Sequence, residues 1–220
     1  MSVNIIAHDT RLEGRTPAST SGTITFEVGD GTRISNFFQR VIQISDSHGG
    51  IQTLYIMAHG DYVNGEDTHS IRFCHEYISY RNIHLFAQLN EKVERIVLFV
   101  CHASETSMTA HGDGDELCRQ MAIQAQAEVT AAREVQAYSR TEHCILFFCE
   151  ESAIEFGEWE GTVVVYDSNG NIIAQYHNPS AWHDSEGELH DPRLEADPHI
   201  LEESRQQQSS ERFSRHSMRL

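Results

Sequence analysis

Positive charge is scarce in this chain. Lys and Arg number 16 against 33 Asp and Glu, and the formal net charge is −17. A surface of that sign repels phosphate backbones, so nucleic acid is excluded as an expected partner. It favours cationic groups such as Lys- and Arg-bearing peptides, though acidic charge also serves solubility by itself. Long apolar runs are missing as well. None reaches the roughly 20 residues that a bilayer-spanning helix needs, so no membrane partner is expected. The residues Met1-Ser2-Val3-Asn4-Ile5-Ile6 show no basic segment followed by an apolar stretch, and no secretory signal is expected in them. Cysteine is sparse, odd in number at 5 and widely spaced. That argues against a disulfide framework and for free thiols in a reducing, cytoplasmic compartment. There is no Gly-rich phosphate loop, no Gly-x-Ser-x-Gly elbow and no internal repeat.

What is present is enough for an ordinary core. At 220 residues and 39% hydrophobic, the chain suggests a single domain with appendages. Residues 1–21 are polar and carry Gly14 and Pro17, so they read as an N-terminal arm. Residues 22–183 read as the folded domain. From 184 to 220, acidic residues and Gln206-Gln207-Gln208 dominate, which reads as a polar tail, disordered or partner-dependent.

Within the domain, period-two alternation predicts a strand at 23–28. Ile34, Phe37, Phe38, Val41 and Ile42 fall at helical spacing, with Gly49 to end the helix. Residues 71–74 read as a short strand, and Ile83, Leu85, Phe86 and Leu89 as a helix. A helix capped by Asp115 is expected to carry Leu117, Met121, Ala122 and Ala125. Residues 128–132 and 144–149 read as strands. Residues 162–166 and 172–176 flank an Asn-Gly turn and read as a hairpin. Strands alternating with helices predict an α/β, three-layer sandwich with a mostly parallel central sheet, helices on both faces and an antiparallel hairpin at the edge.

Two segments carry the chemistry. Leu54-Tyr55-Ile56-Met57-Ala58-His59-Gly60-Asp61 and Ile96-Val97-Leu98-Phe99-Val100-Cys101-His102-Ala103-Ser104 are apolar runs of strand length that stop at a base and at a nucleophile. Parallel strands present their carboxyl ends in one crevice, where such sheets bind ligands. Free cysteine is mostly protonated at neutral pH, and a neighbouring histidine removes the proton. An acyl-transfer intermediate also needs donors for its oxyanion, and the amides of Gly60 and Cys101 are the candidates.

The order apolar strand–His59–Gly60, then apolar strand–Cys101 with the small Ala103 beyond, resembles the caspase-like cysteine peptidases. That group includes caspases, gingipains, clostripains and separases. The resemblance covers roughly residues 23–176, and only the two strand ends are specific. It implies a caspase-type fold and peptide-bond hydrolysis through a thioester, with His59 as general base, Cys101 as nucleophile and no cofactor or metal. The implied partner is a protein or peptide substrate, with a regulatory protein as a further candidate. Asp61 and Asp113 are the candidate substrate-binding residues for a basic side chain before the cut. The family often has small residues beside the cysteine, where this chain has Val100 and His102.

Other constellations compete. Asp46, His48 and Asp61 lie in stretches that look like the first metal-ligand motifs of metallophosphoesterases. Their spacing is too short for a crossover helix, and the third motif is absent. Cys74-His75, Cys101-His102, His111 and Cys118 offer zinc-type ligands at spacings that match no zinc finger. A chemically inactive caspase-like interaction module keeps the fold and drops the chemistry.

Overall fold

Val, Ile, Leu and Phe crowd the short segments between turns, and seven of those segments pair into one sheet. The computed structural model describes residues 2–62, 69–106, 113–136, 138, 142–145, 148–154, 159–178, 182–183 and 189–190. The elements run β1 (Val3–Asp9), β2 (Thr23–Val28), α1 (Ile34–His48), β3 (Ile51–Met57), β4 (His59–Tyr62) and β5 (His69–Arg72). They continue with a 3-10 helix (Ile83–Leu89), β6 (Val93–Phe99), α2 (Gly114–Ala125), β7 (Glu128–Ala132), β8 (Glu142–Ile145) and β9 (Phe148–Glu151). β10 (Gly161–Tyr166) and β11 (Ile172–Asn178) complete the main sheet. The chain divides into two compact units, Met1–Asn178 and Pro179–Leu220, a few residues ahead of the expected boundary at 183. In the second, β12 (Trp182–His183) pairs antiparallel with β13 (Leu189–His190).

The fold class is α/β with a mostly parallel central sheet. Its seven strands stand in the order β11-β10-β7-β6-β3-β1-β2. The contacts β1–β2, β1–β3, β3–β6 and β6–β7 are parallel; β7–β10 and β10–β11 are antiparallel. The antiparallel edge hairpin is therefore present. The expected arm is not a lead-in, because residues 3–9 form β1 between β2 and β3. The alternation of buried Val3, Ile5 and Ala7 was the available signal.

One sheet face carries Ile5, Ala7, Leu54, Ile56, Ile96, Leu98, Val129, Ala131, Val164 and Tyr166. Phe37 and Phe38 of α1, Phe86 and Leu89 of the 3-10 helix, and Leu117 and Met121 of α2 all pack into that same cluster. Among the described residues, helices therefore cover one face, not both. The physical reason is strand order. From β2 through β3 and β6 to β7, each crossover steps the same way across the sheet, and right-handed connections then place every helix on the same side. The β1–β2 connection steps back the other way. The second face holds smaller clusters: Leu12 with Met57 and Ile154, and Trp159 with Ala132 and Val163. Phe99 stacks between Tyr55 at 5.8 Å and Trp159 at 5.0 Å there.

Other local expectations shift. Helix α1 ends at Gly49 in the left-handed conformation, as its glycine predicts. The segment 83–89 is a 3-10 helix. Helix α2 is capped by Asp113, whose carboxylate accepts from Glu116 N–H at 2.9 Å, and not by Asp115. Asp115 lies in the first turn, bound to Arg119 at 2.7 Å and to the Tyr166 hydroxyl at 2.7 Å. The apolar run 144–149 is not one strand but lies across the β8–β9 hairpin.

Candidate functional site

The site is built where β3 and β6 stop. Met57 is paired with Phe99, and the Ala58 N–H donates to the Phe99 carbonyl at 3.3 Å. His59 and Cys101 follow these positions by equal steps, so both leave the sheet at the same edge. Gly60 is in contact with the Cys101 main chain: a methyl group at position 60 would lie 1.9 Å from the Cys101 carbonyl oxygen. Only a residue without Cβ permits that approach.

His59 is half-buried, and its Nε2 lies 3.2 Å from the Arg11 carbonyl oxygen. A carbonyl accepts only, so Nε2 carries the proton and donates it there. The lone pair is left on Nδ1, the atom a base would use. A main-chain carbonyl thus fixes the tautomer. Arg11 is itself held by Asp9 at 2.6 Å and Asp30 at 3.1 Å, and lies 5.2 Å from the Tyr77 ring centre. Arg11 escapes a reading of the sequence because the polar stretch 1–21 around it reads as an arm.

Cys101 is half-buried too, and free. Its thiol donates to the Gln136 carbonyl at 3.6 Å, and its sulfur accepts from the Gln136 N–H at 3.4 Å. Burial pushes the thiol's pKa up. The Gln136 N–H opposes this, the Glu160 charge reinforces it, and the Cys101 N–H opposes it more weakly. At neutral pH the group is therefore a thiol that needs a base, not a resident thiolate. No hydrogen bond joins His59 to Cys101. The Gln136 side chain is anchored by donating to the Glu160 carbonyl at 2.8 Å and accepting from Glu160 N–H at 3.1 Å. No spacing pattern announces Gln136; only the return of the chain after β7 brings it here.

His102 sits at φ 56, a left-handed position that is uncommon outside glycine but that histidine adopts more readily than most residues. Its N–H donates to Glu134 O at 3.0 Å and its Nδ1 to Arg133 O at 3.1 Å, so it faces the β7 loop. The two candidate acids fare differently. Asp61 lies on β4 opposite Ser70, and its side chain falls outside the described residues. The Asp113 carboxylate caps α2, and its carbonyl accepts from the Tyr80 hydroxyl. Of the oxyanion candidates, Gly60 is in ribbon β4–β5 opposite Ile71, and the Cys101 amide lies at its own sulfur.

The metal constellations do not assemble. Asp46 and His48 are in α1, before β3, whereas Asp61 lies beyond the far end of that strand. A seven-residue strand separates them by about 20 Å. Asp46 pairs with Lys92 at 2.7 Å, and His48 Nδ1 bonds Ile44 O at 3.0 Å. Cys74 and Cys118 are buried, His75 bonds Asp30 O at 3.1 Å, and His111 lies outside the described residues. Among the described residues no three His, Cys, Asp or Glu side chains group as metal ligands. No helix among them is long and apolar enough to cross a membrane. No family model, curated protein or solved structure matches the chain.

Proposed function

We propose that this chain is a cysteine endopeptidase of the caspase-like type, acting on a protein or peptide substrate without a cofactor in a reducing, cytoplasmic compartment. The observation that carries the reading is that a tautomer-fixed imidazole and a thiol leave the sheet at the same edge, each two residues beyond the paired Met57 and Phe99. His59 Nδ1 takes the Cys101 proton as sulfur attacks the scissile carbonyl. His59 then gives that proton to the leaving amine, and the thioester remains on Cys101. Water, deprotonated by His59, attacks the thioester and releases the acid and the thiol. The Gly60 and Cys101 amides are the proposed oxyanion donors. Of the acids proposed for a basic residue before the cut, Asp61 is retained; Asp113 has its carboxylate committed to a helix end.

One observation favours the inactive interaction module: the thiol is engaged by the Gln136 main chain and not by His59. Proteome-wide cleavage mapping with wild type against Cys101→Ala separates the readings. The peptidase reading expects discrete cleavages that vanish in the variant, and in His59→Ala. A folded protein with no cleavage and no Cys101 alkylation by iodoacetamide overturns it.

A further inference from the structure

Arg72 is the register partner of His59 across the β4–β5 ribbon. Directly opposed residues of an antiparallel pair share one face, with Cβ atoms roughly 4.5–5.5 Å apart. The alternate face bears Gly60 and Ile71, and Ile71 is in the main core. His59 and Arg72 therefore stand together on the side turned away from that core. Other arginines are ion-paired: Arg11 with Asp9 and Asp30, Arg33 with Glu76, Arg119 and Arg133 with Asp115. Arg72 makes no ion pair among the described residues, and its Nε is buried without a hydrogen-bond partner. A buried donor left unmade is costly and calls for an explanation, such as strain, an ordered water, an ion or a catalytic role.

We propose that Arg72 is a specificity residue that receives a carboxylate of the substrate, namely an acidic side chain on the leaving-group side of the scissile bond. The inference rests on the peptidase reading, because the side is assigned by His59. The base that returns a proton to the leaving amine faces the residue bearing that amine, and so does the cation beside it. A guanidinium fork binds a carboxylate in two-point fashion and rejects its neutral amide. In a chain of net charge −17, an arginine at the site that is unpaired among the described residues supplies a local positive charge for an acidic peptide.

Two experiments test this, and they fail separately. In the first, Cys101 is alkylated with iodoacetate or with iodoacetamide, and the modified peptide is quantified by mass spectrometry. Both reagents form a thioether and release iodide; only iodoacetate carries a carboxylate. Arg72→Gln is expected to lower the iodoacetate-to-iodoacetamide rate ratio about tenfold, and Arg72→Lys less. An unchanged ratio overturns the carboxylate site, whatever the fate of the peptidase reading. In the second, peptides matched to a mapped cleavage carry Asp, Glu, Asn or Gln after the cut, each with a free or amidated C-terminus. Faster cleavage of the acids, lost in Arg72→Gln while the amide peptides keep their rates, supports the proposal. Dependence on the free C-terminus alone assigns Arg72 to a terminal carboxylate and overturns the side-chain assignment. Equal loss on all peptides also overturns it. A wild type that cleaves nothing but keeps the alkylation ratio removes the peptidase reading and leaves the carboxylate site standing.

Discussion

The helix-covered face of the sheet and its carboxyl edge are held by different forces. On the covered face, Phe37 lies 4.8 Å from Phe73 and Phe38 lies 5.0 Å from Phe86, with every ring fully or nearly fully buried. Non-directional burial dominates there. At the edge, His59 leans on the Arg11 carbonyl and Cys101 on the Gln136 main chain. Such directional bonds contribute little net stability but set geometry. The core therefore tolerates changes that keep volume, and the edge does not tolerate changes in backbone path.

The sharpest test of that contrast is Phe38→Ala. It should cost about 3–5 kcal/mol in urea unfolding, while the folded fraction keeps its Cys101 alkylation rate. A parallel loss of alkylation would show that the two regions are one. Gly60→Ala acts the other way. It forces a methyl against the Cys101 carbonyl and should cost about 1–3 kcal/mol, with peptide cleavage lost as Cys101 moves. Retained cleavage would mean that the contact at Gly60 is not what positions the thiol. Asp113→Ala removes the α2 cap and should cost about 1 kcal/mol, with Asp113→Asn close to wild type. If instead both substitutions changed the preference before the cut, Asp113 would belong to the substrate pocket.

The smallest effect is in pH. Burial lowers the pKa of the His69 imidazole from its ordinary 6.5; Glu105 raises it, His102 lowers it and Asp113 raises it by smaller amounts. The unfolded chain takes its proton near 6.5 and the native state at lower pH. Below 6.5 the unfolded state holds more protons, so stability is full above that value and falls as pH drops through it. The urea midpoint at pH 5.5 should lie below that at pH 7.5, and His69→Gln should shrink the gap. An equal gap in the variant would assign the dependence to other groups.

Most of the architecture was legible before any coordinates. Local periodicity located β2, α1, β3, β6, β7 and the β10–β11 hairpin, because side chains on each element repeat with its own period. His59 and Cys101 stood out because an apolar run ended at each. The same local rules failed for β1, whose polar surroundings masked its alternation, and for the helix sidedness, which depends on strand order. They were silent on Arg11, Arg72 and Gln136.

Residue order by itself determined where strands and helices form and which side chains carry chemistry, since both follow from neighbours along the chain. Tertiary structure alone decided that β1 sits between β2 and β3, that the Arg11 carbonyl sets the His59 tautomer, and that Arg72 stands opposite His59. Those facts depend on contacts between segments distant in sequence, and hydrogen-bond partners of that kind are chosen by packing in space, which no local pattern encodes.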